Sequence, residues 1–251
     1  MSNKKQKVFN RQPENCIRVY FDFETTGRSR SQIVSIGYIS EDETIQAELL
    51  CLPKAPIEPS ACEVHGYTNL KLVKDGALNI KTQLQKFMND IESLKVNVIL
   101  CAHNGKAFDT NVLRHAMERE YVMFASNITG FVDTLHWFKY DIQTKEAKMD
   151  YLIMTYLQKD KRNFHGALED SKLLKEVTVF ALSNLSQEPF LTYFESFDDF
   201  MTRTSKWTSE VEFLRDLQED MRWHEECCKC EHKTIKQYDN FQMCLDCEYL
   251  F

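Results

Sequence analysis

Val98, Ile99, Leu100, Cys101 and Ala102, in the stretch VNVILCAHN (96–104), follow one another with no polar side chain between them. Side chains alternate between the two faces of a strand, so such a run needs apolar cover on both sides. That is the situation of an inner strand with helices above and below. The flanking sequence agrees. Downstream, GKAFDTNVLRHAMERE (105–120) predicts a helix, GFVDTLHWF (130–138) the end of another strand, and MDYLIMTYL (149–157) a short helix. HGALEDSKLLKEVTVFALSNL (165–185) predicts a longer helix, with Leu174, Val177, Ala181 and Leu185 along one side. Upstream, CIRVYFDFE (16–24), SQIVSIGYIS (31–40) and TIQAELLCLP (44–53) predict three consecutive strands, a meander. The proline-punctuated PIEPSACEVHGYTN (56–69) reads as a surface loop, and IKTQLQKFMNDIESL (80–94) as a helix with Leu84, Phe87, Met88 and Ile91 at helical spacing. The fold class is α/β, a mixed sheet flanked by helices, spanning residues 14–185.

A chain of 251 residues accommodates one such domain and a small appendage. Phe190, Phe194, Phe197 and Met201, continued after Trp207 by Val211, Leu214 and Met221, recur at helical spacing and predict a helical extension over 186–222, its stripe a packing face. The net charge of −7 argues against coating nucleic acid through bulk charge. The short basic runs Lys4-Lys5-Gln6-Lys7 and Lys159-Asp160-Lys161-Arg162 read as solvated surface. The opening MSNKKQKVFN lacks an apolar segment of signal-peptide length, and no later run approaches a membrane span; the expectation is a soluble intracellular protein, cytoplasmic or nuclear, with no membrane partner.

Polar residues on the predicted core strands are the exceptions that carry chemistry. In VYFDFETTG, Asp22 and Glu24 lie two apart and share a face, while Val19, Phe21 and Phe23 take the other. Two carboxylates so close, and partly buried, either hold a proton or recruit a cation. Asp109 follows the carboxyl end of the apolar strand, where open α/β sheets place ligands. Asp170 stands five residues after His165, at the start of the last helix of the domain. Five helical residues turn through about 140°, so His165 and Asp170 converge only if His165 precedes the helix. Four carboxylates meeting at one point suit hard divalent cations, and two such ions can clamp an in-line phosphoryl displacement.

Three ordered motifs, D-x-E-T-T-G at Asp22–Gly27, H-N-G-x-x-[YF]-D at His103–Asp109 and H-x4-D at His165–Asp170, resemble those of the DEDDh exonucleases, the DnaQ-like 3′-to-5′ family with an RNase H-like fold. The resemblance covers roughly residues 14 to 185. The spacer between Asn104 and Phe108 is similar to the three-prime repair exonuclease branch, with Phe108 where Tyr is usual, and ACEVHGYTN around His65 looks like the loop between that family's first two motifs. The resemblance implies Asp22, Glu24, Asp109 and Asp170 as ligands of two Mg²⁺ or Mn²⁺ ions and His165 as general base. It also implies that the backbone at Thr25 and Thr26 receives the 3′-terminal nucleotide, that Asn104 supports the site, and that 5′-mononucleotides are released from a free 3′ end. A histidine suits the base role because its pKa near 6.5 lets it take a proton at neutral pH. DNA is favoured over RNA on the second motif. The alternatives are an RNA exonuclease of the same fold and a non-enzymatic adaptor that only holds nucleic acid; a complete acid set is superfluous in the latter.

Cys227-x2-Cys230 and Cys244-x2-Cys247, separated by thirteen residues, have the spacing of a Cys₄ site for one structural Zn²⁺. Cys227 rather than Cys228 gives symmetric knuckles, and KTIKQYDNFQM between the pairs has the alternation of a small hairpin. A zinc ribbon over 223–251 is expected, its order dependent on metal and its role structural support or a protein partner as readily as nucleic-acid contact.

Overall fold

The computed structural model describes residues 15–27, 32–160, 165–185 and 193–203, together with the backbone of 235–238 and 241–244. The apolar run forms β5 (Asn97–Ala102) and is buried on both faces. Val98, Leu100 and Ala102 join one core cluster, Ile99 and Cys101 another. To one side lies the antiparallel meander of β1 (Cys16–Thr25), β2 (Ile33–Ser40) and β3 (Gln46–Leu52), with β1 parallel to β5. On the other side, β6 (Ile128–Asp133) runs parallel to β5. Two short strands, β4 (Leu78–Asn79) and β7 (Phe194–Ser196), complete a seven-stranded mixed sheet ordered β4-β3-β2-β1-β5-β6-β7.

Helices cover both faces. Val19, Phe21 and Phe23 of β1 pack with Leu84, Phe87, Met88 and Ile91 of α3 (Ile80–Ser93) and with Leu113 and Met117 of α4 (Asp109–Glu120). Tyr20, on the opposite face, packs with Trp137 and Phe138 of α5 (Thr134–Tyr140), Leu152 of α6 (Met149–Leu152), Ile153 of the π-helical turn Ile153–Leu157, and Leu174, Val177 and Ala181 of α7 (Ala167–Asn184). Leu185 ends that stripe at the surface, 41% exposed, just beyond the helix.

Two expectations need correction. The segment 56–69 is not simply a loop: Pro59–His65 forms α1, with Pro59 at its first position and Gly66 closing it at φ 73°, and α2 (Asn69–Lys74) follows. Proline punctuated that stretch because it starts the helix. Phe194, expected on a helix, lies in β7, where pairing with β6 overrides helical spacing (Phe131↔Glu195). α8 (Phe197–Thr202) follows, and its fully buried anchor is Phe200 against Phe131, ring centroids 4.2 Å apart, whereas Met201 is 36% exposed. Arg203 secures this segment through Thr110 Oγ1 and Asn111 Oδ1, each 3.1 Å away, and through Glu195 at 2.9 Å. Trp207, Val211, Leu214 and Met221 lie outside the described residues.

In the C-terminal region β8 (Ile235–Tyr238) pairs antiparallel with β9 (Phe241–Cys244), a hairpin that begins after the first cysteine pair and ends on Cys244 of the second. Cys227, Cys230 and Cys247 lie outside the described residues, and for Cys244 only the backbone is described. No described helix is long and apolar enough to cross a membrane.

Candidate active site

The alternation of β1 puts Asp22 and Glu24 in the same row as Tyr20, beyond the last β1–β5 pairing at Tyr20↔Cys101. The sheet opens there, and α7 brings Asp170 over the gap. Gly37 makes this approach possible. It lies opposite Asp22 on β2, and a Cβ on it would come within 1.9 Å of the Ala167 carbonyl carbon. Ser171 Oγ then bonds the Gly37 carbonyl at 3.0 Å and the Ala167 carbonyl at 2.7 Å, pinning the first turn of α7 to the strand. As a result Asp22, Glu24 and Asp170 each present a carboxylate oxygen within 4.8 Å of the others.

His165 stands just before α7, whose N-cap is Gly166, so the geometric condition for its convergence with Asp170 is met. Its Nδ1 is 3.0 Å from Asp170 Oδ2, its ring is half-exposed, and its backbone N–H donates to the Val64 carbonyl at 3.1 Å. Asp109 opens α4 almost fully buried, with the Phe23 backbone N–H hydrogen-bonded to its carboxylate. It is not within the 4.8 Å group, although its charge acts on Glu24. Burial first, and then the charge of Asp170, pushes Glu24 up to about 8. Burial also raises Asp109, with Asp133 adding to the effect. Hard oxygen donors that cannot all ionise side by side are the donor set a divalent cation relieves, so these residues fit one.

Asp22, Asn104, His165 and Asp170 line a cleft of about 830 Å³, together with Leu135, Met149, Tyr151 and Met154. Asn104 has φ 61°, and its N–H donates to Asp133 Oδ1 at 3.0 Å. Thr25 and Thr26 are buried in the turn after β1. The Thr25 hydroxyl bonds the Gly27 carbonyl at 2.9 Å, and Thr26 exchanges two hydrogen bonds with Gln32.

Two residues with structural influence here had no assigned role in the sequence. Asp133, at the end of β6, accepts the N–H groups of Asn104, Lys106 and Leu135, all at 3.0 Å, and so holds the loop that leads into Asp109. His65, 6% exposed, lies against the Thr25 carbonyl. An acid ending a strand and followed by Thr and a helix was the available signal for Asp133; for His65 there was none beyond its place in the family-like loop.

A family model described as Exonuclease (RNase_T) matches residues 19–178, the span from β1 into α7. The chain belongs to this exonuclease family. Among solved structures, the exonuclease fold is similar to the nuclease domain of 3′hExo, a DEDDh family member bound to rAMP, at 12% identity and a TM-score of 0.58 over 70% of this chain and 96% of that one. It is also similar to E. coli exonuclease I in its zinc-bound complex with single-stranded DNA, at 17% identity and a TM-score of 0.57, covering 71% of this chain and 42% of that one. A third similar structure, exonuclease I with a dT13 oligonucleotide, gives 17% identity and a TM-score of 0.55 over 68% and 41%. The chain thus matches under half the length of exonuclease I, and at these identities the likeness is one of fold. No curated protein matches the sequence significantly.

Proposed function

We propose that this exonuclease-family chain removes 5′-mononucleotides from a free 3′ end, with DNA as its substrate. The observation that carries the reading is the meeting of the Asp22, Glu24 and Asp170 carboxylates within 4.8 Å, with His165 bonded to Asp170 at their edge. Asp22, Glu24, Asp109 and Asp170 would hold two Mg²⁺ or Mn²⁺ ions. Such ions would lower the pKa of the attacking water and offset charge on the phosphate. His165 takes the proton from that water, its ring oriented by Asp170 and half-exposed toward the cleft. Thr25 and Thr26 back the seat of the terminal nucleotide, their hydroxyls engaged within the turn, and Asn104 lines the cleft beside Asp22. Met149, Tyr151 and Met154 offer apolar surface to bases.

The spacing of the second motif, between Asn104 and Phe108, supports a place near the three-prime repair exonucleases. RNA stands as a second reading because 3′hExo, similar in fold, was solved with rAMP. Incubating matched DNA and RNA strands, labelled at either end, with and without Mg²⁺ tests both readings. Stepwise loss of a 3′ label from DNA, dependent on Mg²⁺, is expected; faster loss from RNA favours the second reading, and loss from the 5′ end refutes both. We further propose that Cys227, Cys230, Cys244 and Cys247 hold one Zn²⁺, a reading supported by their spacing and by the hairpin that ends on Cys244. The resulting module would support the C-terminus or contact a protein partner.

A further inference from the structure

Helix α1 supplies none of the site's acids, yet it is fastened to the site at both ends. At its start the Glu58 N–H donates to the Thr26 carbonyl at 2.8 Å, and the Glu58 carboxyl packs so closely over Gly27 that a Cβ there would lie 2.2 Å away. At its end the Val64 carbonyl takes the His165 N–H, and His65 Nε2 lies 3.1 Å from the Thr25 carbonyl. The left-handed Gly66 turns the chain so that the Tyr67 N–H donates to His65 Nδ1 at 3.1 Å. A backbone N–H can only donate, so Nδ1 is unprotonated and the ring proton sits on Nε2, aimed at Thr25. Burial favours this neutral ring. The Tyr67 ring lies beside the imidazole, centroids 5.5 Å apart, and its hydroxyl is held by Glu48.

We infer that His65 is a positioning residue: its Nε2–H fixes the Thr25 carbonyl, and the helical turn it closes fixes the backbone of His165. The inference rests on the function proposed above, in which Thr25 backs the terminal nucleotide and His165 is the base. Both tethers fall where regular structure is weak. The β1–β2 register shifts between Glu24 and Thr25, so the ladder is irregular at the carbonyl His65 takes. His165 lies outside α7, ahead of a glycine N-cap with no side-chain cap bond. One short helix therefore sets the separation between the place where the substrate ends and the group that removes the proton. Reaction geometry tolerates little error there, since a displacement of about 1 Å from a remote change can cost about 100-fold in rate.

His65→Leu keeps an apolar side chain of similar size and removes the Nε2–H, whereas His65→Gln returns an amide N–H near the same carbonyl. For His65→Leu we expect kcat to fall and KM to rise together, lowering kcat/KM by about 10- to 100-fold. For His65→Gln we expect recovery to within about threefold of the parent. Backbone amide exchange, read on the same folded proteins without substrate, should quicken in His65→Leu at 165–167 and 25–27 while β5 stays protected. Unchanged kinetics in His65→Leu would overturn the inference. So would a His65→Gln protein as impaired or as poorly folded as His65→Leu, or exchange that quickens equally through β1 and β5, because each assigns His65 to packing alone. If the parent protein cleaves no 3′ end yet the selective exchange is seen, the proposed function fails and the tether stands.

Discussion

Glu24 holds its proton up to about pH 8 because burial and Asp170 both oppose its charge. In the unfolded chain the same carboxyl ionises near its ordinary value of 4.5. Between those values the folded state binds the proton and the unfolded state does not, so stability declines as pH rises across that interval. Asp109 acts in the same direction. A bound divalent ion reverses the balance by favouring the ionised acids. Thermal unfolding in chelator should therefore show Tm falling from pH 5 to pH 8, and Mg²⁺ should raise Tm more at pH 8 than at pH 5; an ion-independent Tm at pH 8 would argue against cation binding here. Asp22→Ala and Asp109→Asn should abolish hydrolysis with the circular dichroism spectrum preserved, and His165→Ala should lower the single-turnover rate by about 10²- to 10⁴-fold. The acids were legible in the sequence because the two-residue period of a strand places Asp22 and Glu24 on one face. Asp133 and His65 were not. The local sequence marks Asp133 only as an acid before a helix, and nothing near either residue records the Asn104 N–H that Asp133 takes, 29 residues away, or the Thr25 carbonyl that His65 meets, 40 residues away.

Among the elements, α7 shows how a site is assembled by close approach. Its first turn rests on Gly37 of β2, which pairs with Asp22 of β1, and Ser171 bonds the carbonyls of Gly37 and Ala167. Gly37→Ala should push the turn off the strand at a cost of about 1–3 kcal/mol, as overpacking does. Because Asp170 travels with that turn, Mg²⁺ binding should weaken as well. Urea unfolding and isothermal titration with Mg²⁺ read the two effects separately. The strands β1, β2, β3 and β5 and the helices α3, α4 and α7 were recognisable from periodicity, since each keeps one pattern over a long enough stretch. The failures were short segments whose form is set by distant partners. Phe194–Ser196 becomes a strand because β6 offers an edge, and Pro59–His65 becomes a helix stapled to the turn after β1.

At the scale of the whole molecule, the exonuclease fold is followed along the chain by the β8–β9 hairpin, near which the sequence places two C-x-x-C pairs. If the four cysteines bind zinc as proposed, metal analysis of purified protein should find one equivalent of zinc, lost in Cys244→Ser while Mg²⁺-dependent activity is retained in part; unchanged zinc would remove that ligand set. The outline of the exonuclease fold could be read from sequence, because motif order is a one-dimensional pattern. The way the sheet gains its last strand is a three-dimensional fact. After α7 the chain returns to β6, buries Phe200 beneath Arg114 and Arg203, and grips the opening of α4 at Thr110 and Asn111, the two residues next to Asp109. Anyone trimming this protein toward a minimal nuclease should therefore stop no earlier than Arg203, because an earlier stop removes the brace on the helix that carries a proposed metal ligand.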